Sequence, residues 1–292
     1  MAAGIARHGR MKIAYEVEGP ADGVPLLLIM GLGLSELFWP EGFRESLVER
    51  GFRVARFDNR DVGASTHLTE LGLPSPLVLV GGHWWGYALP DMADDAVAVL
   101  DALGWPSAHV AGVSLGGMIA QTMACRHPAR VRSLTSISST PYTRIGRPYP
   151  WIAGVLAMPP ARDREAAARQ MARVFRVIGS PGYPRDDEWI REAARRGFDR
   201  GHDPNGVRRQ LAAILSAPDR RPELRQLRKP TLVVHGEVDP LVRIAGGRAT
   251  AQAVPDARLV TYPGMGHDLP GPLHPAIADE ITYLATKAGQ SA

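Results

Sequence analysis

The most regular feature of the sequence is an alternation of short apolar runs with longer stretches in which apolar residues recur at helical spacing. Short apolar runs bounded by turn residues are typical of buried strands. The runs are residues 26–30, 53–57, 108–112, 133–138, 231–235 and 258–262, and the helical stretches are 43–50, 90–103, 115–126 and 275–287. This order predicts an α/β fold, a mostly parallel central sheet flanked by helices on both faces. Residues 5–18 predict an antiparallel hairpin at one edge of that sheet.

The alternation is interrupted in residues 141–222, which we call the cap segment. No convincing strand pattern occurs there, and prolines and glycines separate several helical patches. The patches are residues 162–177, 187–196 and 205–215. We therefore predict an α/β core formed by residues 1–140 and 223–292, with a helical cap inserted between its two parts. The crossover at this point leaves from the carboxyl edge of the sheet, so the cap segment is expected to cover that edge.

The composition is that of an ordinary globular chain. Of the 292 residues, 45% are hydrophobic and 22% are charged, which is enough to build a sizeable core. The net charge is +4, and the scattered arginines fit solvated helix faces better than a nucleic-acid surface. The single cysteine, Cys125, cannot form an intramolecular disulfide. The first residues lack the apolar stretch of a secretory signal and the apolar run 24–34 is too short for a bilayer, so we expect a cytoplasmic protein without a membrane partner.

A candidate nucleophile lies in the sequence GVSLG at residues 112–116. An apolar strand pattern precedes it and a helical pattern follows it, which is the context of a nucleophile elbow. Glycines two positions either side of Ser114 leave room for a tight, strained turn that lifts the hydroxyl above the sheet. The pattern therefore predicts Ser114 as the nucleophile of a hydrolase.

A serine hydroxyl needs a base, and His267 is the best placed of the nine histidines. It lies in a loop with two glycines after the last predicted strand, near the carboxyl edge of the sheet. His83 is a weaker candidate that could contact substrate or pack its own loop. The histidines show no metal-ligand spacing with a third ligand, and we predict neither a metal nor a cofactor.

The acid that orients the histidine should follow a late strand. Asp239 does so, directly before Pro240, and Glu237 is the alternative. The order Ser114, Asp239, His267 along the chain is the order of an α/β-hydrolase triad. For the oxyanion hole, we predict the backbone amides of Leu115, which follows the nucleophile, and of Leu32, which lies between two glycines after the strand 26–30.

These motifs together resemble the α/β-hydrolase superfamily over nearly the whole chain. The sequences LLLIMGLGLSELFWP, FDNRDVGAS, GVSLGG and YPGMGHDLP are similar to those of the aclacinomycin methylesterase group. That group removes a methyl ester from an aromatic polyketide. The resemblance implies the triad roles for Ser114, Asp239 and His267. It weakens in the cap segment, and Met30 replaces the histidine that commonly precedes the oxyanion glycine.

The predicted function is hydrolysis of a small-molecule carboxylic ester, of medium to bulky apolar character, through an acyl-enzyme. Hydrolysis of a lactone or of a carbon–carbon bond, or cofactor-free perhydrolysis, would use the same triad and remains an alternative. A non-catalytic ligand-binding module is a further alternative. We expect Gly31, Trp151, Met158 and Phe175 to contact the substrate. The sequence does not distinguish a monomer from a homodimer.

Overall fold

The computed structural model describes residues 2–75, 77–78, 84–156 and 158–290. Eight strands form one sheet in the order β1-β2-β4-β3-β5-β6-β7-β8. The strands are β1 Ala2–His8, β2 Met11–Glu18, β3 Val24–Ile29, β4 Phe52–Phe57, β5 Ala108–Val113, β6 Val131–Ile137, β7 Thr231–Gly236 and β8 Arg258–Tyr262. The β1–β2 and β2–β4 pairs are antiparallel, and the other pairs are parallel. The predicted mostly parallel sheet and its edge hairpin are confirmed.

Helices cover both faces of the sheet. The helices are α1 Glu41–Glu49, α2 Leu89–Ala102, α3 Leu115–Arg126, α4 Ala153–Leu156, α5 Arg164–Ile178, α6 Asp187–Arg200, α7 Gly206–Leu215, α8 Arg221–Leu224, α9 Ala245–Ala253 and α10 His274–Gln290. None of the helices in the described part of the chain combines the length and the apolar character needed to cross a bilayer.

The central strands divide their side chains between two cores, one on each face. In β3, Leu27 and Ile29 join the core that contains α2 and α3. Leu26 and Leu28 join the core that contains α1 and α10. All four side chains are fully buried. A parallel strand that is covered on both faces requires this continuous apolar run, because neither set of side chains reaches water.

Helix α9 is a core helix that the periodicity did not predict; the one-turn helices α4 and α8 were not predicted either. The first turn of α9 contains Gly246 and Gly247, which are poor helix formers and hide the helical pattern. Both glycines are required by close packing: a Cβ on Gly247 would lie 2.5 Å from Nδ1 of His235, and one on Gly246 would lie 2.9 Å from Cβ of Thr140. The helix therefore forms against the sheet in spite of its local sequence.

The cap segment contains α4 to α7 and the first two residues of α8, and its described residues include no strand. It leaves the sheet after β6 and returns to β7, so both of its ends lie beside neighbouring parallel strands. The carboxyl ends of β3, β5, β7 and β8 lie at the same edge of the sheet. Every residue predicted for the triad and the oxyanion hole follows one of these four strands.

Candidate active site

Ser114 lies in the sharp turn between β5 and α3. Its backbone has φ 57° and ψ −117°, a conformation that is strained for a residue with a side chain. Two hydrogen bonds hold the turn: the Ser114 amide donates to the Ile137 carbonyl at 2.9 Å, and the Ser139 hydroxyl donates to the Ser114 carbonyl at 2.7 Å. The strain is thus balanced by contacts to the end of the neighbouring strand.

The glycines around Ser114 are needed because backbone lies directly against them. A Cβ on Gly112 would lie 2.1 Å from the Gly116 carbonyl oxygen. A Cβ on Gly116 would lie 1.9 Å from the Ile29 carbonyl oxygen. Neither clash involves a flexible side chain, so the turn accepts no larger residue at these positions. The same close packing brings the end of β3 next to the Ser114 turn.

His267 and Asp239 are hydrogen-bonded to each other. Nδ1 of His267 lies 2.7 Å from Oδ2 of Asp239, and both side chains are buried. Oδ1 of Asp239 accepts hydrogen bonds from the Leu241 and Val242 amides, each at 2.9 Å. Since the carboxylate accepts, Nδ1 carries the ring proton and Nε2 is left as the accepting nitrogen of the neutral ring. Ser114 and His267 line the same cavity.

The alternative acid, Glu237, points elsewhere. Its side chain is exposed and accepts a hydrogen bond from the Thr261 hydroxyl at 2.9 Å. His235 lies beneath Asp239, fully buried, and its Nε2 is 2.7 Å from the Val242 carbonyl oxygen. Burial lowers the pKa of His235, which keeps this second ring neutral next to the carboxylate.

The predicted oxyanion donors also lie at this edge. We call residues 31–34 the oxyanion loop. A Cβ on Gly31 would lie 3.4 Å from Cβ and 4.0 Å from Oγ of Ser114, so this loop contacts the candidate nucleophile. Within the described residues, the amides of Leu32 and Leu115 donate to no protein acceptor. Two free backbone donors next to a strained serine can stabilise an oxyanion that forms there.

The loop that carries His267 is attached to the end of α5. The His267 amide donates to the Ile178 carbonyl at 2.7 Å, and the Gly266 amide donates to the Ser180 hydroxyl at 2.8 Å. The Ser180 hydroxyl in turn donates to Asp268. Burial raises the pKa of the Asp268 carboxyl, and its bonds to Ser180 act in the opposite direction. The cap segment therefore touches the histidine loop through its backbone and through a buried serine.

A cavity of about 850 Å³ opens above Ser114, between the core and the cap segment. Its walls are mostly apolar, and on the cap side Phe175 stacks on Phe38 with 6.1 Å between the ring centroids. The apolar lining includes Met30, Leu32, Phe38, Met158, Met171, Val174, Phe175, Ile178, Trp189, Ile190 and Leu211.

The structure brings three of the four predicted substrate contacts into this cavity: Gly31, Met158 and Phe175 line it. Trp151 does not. Its side chain is 58% exposed and its ring stacks on Tyr149 at 6.0 Å, outside the lining. Tyr149 is held there because its amide donates to the Pro240 carbonyl at 3.1 Å. His83 lies outside the described residues.

The sequence did not predict several residues that contact the candidate site, among them Ser180, Gln210 and Asp268. Gln210 is fully buried and bonds to the oxyanion loop from α7. Ser180 and Gln210 lie in the cap segment and carry no motif. Asp268 directly follows His267, and this position alone could have drawn attention to it.

Residues 24–270 match a family model described as alpha/beta hydrolase fold. The chain is 30% identical over 287 residues to rhodomycin D methylesterase DauP of Streptomyces sp. (strain C5), with 90% of each chain covered. It is 32% identical over 286 residues to rhodomycin D methylesterase DnrP of Streptomyces peucetius, again with 90% of each covered. Among solved structures, the enol-lactonase of Burkholderia xenovorans LB400 has a TM-score of 0.72 and 24% identity, and the match covers 98% of this chain and 100% of that one.

Proposed function

The chain belongs to the alpha/beta hydrolase fold family and is a carboxylic ester hydrolase, and we propose that it works through a covalent acyl-enzyme on Ser114. The observation that carries this proposal is the buried hydrogen bond of 2.7 Å between His267 and Asp239, facing the cavity into which the strained Ser114 turn opens. The family match and the two methylesterases confirm the resemblance that the motifs indicated.

In the first half of the proposed reaction, Nε2 of His267 takes the proton of the Ser114 hydroxyl while Oγ attacks the ester carbonyl carbon. The carbonyl oxygen becomes an oxyanion, which the Leu32 and Leu115 amides stabilise. Removing one such donor typically lowers kcat by about 10²–10³. When the tetrahedral intermediate collapses, the alcohol leaves with the proton from His267 and the acyl group stays on Ser114.

In the second half, a water molecule replaces the alcohol. His267 takes a proton from the water, whose oxygen attacks the acyl carbon, and the second oxyanion forms at the same two amides. Collapse releases the carboxylic acid and returns the proton to Ser114. Asp239 holds the imidazole in one tautomer throughout and stabilises its protonated form.

The proposed substrate is an uncharged small-molecule ester with a medium to bulky apolar acyl group. A cavity of about 850 Å³ with mostly apolar walls can enclose such a group. Among the described lining residues, four are acidic, Glu41, Asp186, Asp187 and Asp268, against one arginine, Arg185, which pairs with Asp187. This excess of acidic groups disfavours an anionic substrate. The named activity of the two relatives, rhodomycin D methylesterase, makes methyl esters the first compounds to examine.

The test is a panel of neutral esters and lactones of graded size, assayed with the wild type and with Ser114→Ala. We expect the wild type to hydrolyse esters and to be labelled on Ser114 by a fluorophosphonate. Ser114→Ala should keep its circular dichroism spectrum and lose labelling and all but a small residual rate. A folded Ser114→Ala protein with near wild-type turnover would refute the acyl-enzyme mechanism. A wild type that hydrolyses lactones faster than esters would show that the substrate is a lactone and not an ester.

A further inference from the structure

We infer that Gln210, in cap helix α7, is a positioning residue that sets the conformation of the oxyanion loop and thereby aims the Leu32 amide. This inference rests on the proposed function, because it assigns a role within the same oxyanion hole. It also makes the cap segment part of the catalytic geometry and not merely a wall of the substrate cavity.

Both ends of the Gln210 side-chain amide are used. Its Oε1 accepts a hydrogen bond from the Gly33 amide at 2.8 Å, and its Nε2 donates to the Arg60 carbonyl at 2.7 Å. The residue is fully buried. A buried amide with both partners satisfied cannot rotate without leaving polar atoms unpaired, which is costly. The side chain therefore fixes the distance between the oxyanion loop and the turn after β4.

The contact at Gly33 selects which amide of the loop remains free. The loop is a tight turn, closed by the Leu34 amide donating to the Gly31 carbonyl at 3.4 Å, and Gly33 has φ 68°. Because the Gly33 amide donates its hydrogen bond to Gln210, it is not available to an oxyanion at Ser114. Among the described residues the Leu32 amide has no protein acceptor, and it is left for the oxyanion.

The turn after β4 also supports the segment that contains the oxyanion loop. The Asn59 side chain donates to the Met30 carbonyl at 2.9 Å, and Asp58 accepts from the Glu36 amide at 2.9 Å. These bonds hold the two ends of the segment that contains the oxyanion loop. Its middle is held by Gln210, which bonds to Arg60 in the same turn. The motif FDNRDVGAS thus includes the residues whose hydrogen bonds hold the oxyanion loop in place.

Helix α7 also packs directly on the loop. A Cβ on Gly33 would lie 2.6 Å from Cγ2 of Val207, which is one turn before Gln210 on α7. The glycine therefore permits both the positive φ and the approach of the helix. A displacement of α7 would move the loop through two separate contacts.

The experiment compares Gln210→Met with Gln121→Met. Methionine has nearly the same shape as glutamine and removes both hydrogen bonds. Gln121 is the matched control because it is also fully buried and hydrogen-bonded, to Ser136 and Arg220, away from the oxyanion loop. The readouts are kcat and KM on a neutral ester and the rate ratio between that ester and its thiono analogue, whose sulfur is a poorer acceptor in an oxyanion hole.

For Gln210→Met we expect kcat to fall about 10- to 100-fold with KM within twofold, and the preference for the oxygen ester over the thiono ester to fall as well. Gln121→Met should keep kcat and the preference. Gln210→Asn, whose shorter side chain cannot span the two partners, is expected to behave like Gln210→Met and replaces it if that variant does not fold.

A folded Gln210 variant with wild-type kcat and an unchanged oxygen-to-thiono ratio would overturn the inference. So would a loss that appears equally in Gln121→Met, or one confined to KM. A wild type that is inactive on all esters, or active without Ser114, would instead refute the proposed function, so the two failures are distinguishable.

Discussion

Asp239 and Glu237 lie two positions apart after β7, but they differ in every contact at the residue scale. Asp239 is buried, bonded to His267 and to two backbone amides, whereas Glu237 is exposed and bonded to Thr261. Asp239→Asn should lower kcat by roughly 10⁴, because an amide can no longer hold the required tautomer or stabilise the imidazolium. Glu237→Gln, the matched control, should stay within about twofold of the wild type.

Steady-state kinetics on one activated ester would measure both variants, with thermal unfolding to verify that each is folded. Equal losses in the two variants, or a larger loss at Glu237, would contradict the choice of Asp239.

The residues of the proposed triad could be predicted because each follows a strand of the parallel sheet and belongs to a recognisable pattern. Gln210 could not, since its partner Gly33 is 177 residues away and nothing local marks the position as buried. The sequence predicts Trp151 in the cavity from its residue type and its place in the cap segment, and neither determines which side of a loop a ring occupies.

At the scale of elements, the cavity wall on the cap side is formed mainly by α5 and α6. Phe175 in α5 stacks on Phe38, and Trp189 in α6 meets Phe38 edge-on at 6.2 Å. Phe175→Ala would remove one ring of this wall and enlarge the cavity. We expect kcat/KM to fall several-fold for medium acyl groups, to change less for the bulkiest groups, and to remain near the wild-type value for a small activated acetate.

Trp151→Ala is the control for this prediction, because that ring lies outside the lining and should leave the order of substrates unchanged. The measurement is kcat/KM across a series of acyl sizes. A uniform loss for every ester in Phe175→Ala would mean that α5 acts on the catalytic groups and does not set acyl size.

The strands and long helices of the core could be predicted to within a few residues because their apolar spacing is a direct consequence of burial. Helix α9 was not predicted because its two glycines have low helix propensity. They are needed for close contact with His235 and Thr140, and this tertiary packing overrides the propensity. The amphipathic spacing predicts the three long helices of the cap segment, α5 to α7, but the contacts of Ser180 and Gln210 with the core depend on how those helices dock.

At the scale of the whole molecule, a buried group of charges joins the cap segment to the core. Arg200, at the end of α6, bonds to Asp58 at 2.7 Å and lies 3.4 Å from Glu36, which also pairs with Arg56. Burial raises the pKa of Glu36 to about 7; Arg56 and Arg200 oppose this rise, and Glu16 and Asp58 add to it.

The folded protein therefore holds the Glu36 proton more tightly than the unfolded chain, whose carboxyl has the ordinary value of 4.5. The contribution of this proton to stability is complete below pH 4.5 and is lost as the pH rises to about 7. Glu36→Gln mimics the neutral form at every pH. We expect the Tm of the variant minus the Tm of the wild type to increase by roughly 5 °C between pH 5 and pH 7.5.

Thermal unfolding of both proteins at several pH values between 5 and 8 measures this difference. Glu45→Gln, which changes an exposed carboxyl on α1, should alter the Tm by the same amount at every pH. A difference between Glu36→Gln and the wild type that does not vary with pH would show that Glu36 stays ionised throughout.

Because the cap segment lies between β6 and β7, the ribosome makes it after Ser114 and before His267. The parts of the candidate site are therefore synthesised in a fixed order. The oxyanion loop, Ser114 and the β6 contacts that hold its turn are synthesised first, and Gln210 follows. The histidine loop comes last, so the backbone at Ile178 and the hydroxyl of Ser180 lack their partners until then. A nascent chain that ends before β8 therefore carries Ser114 without His267, its proposed base, and we expect such a chain to hydrolyse no ester until β8 has joined the sheet.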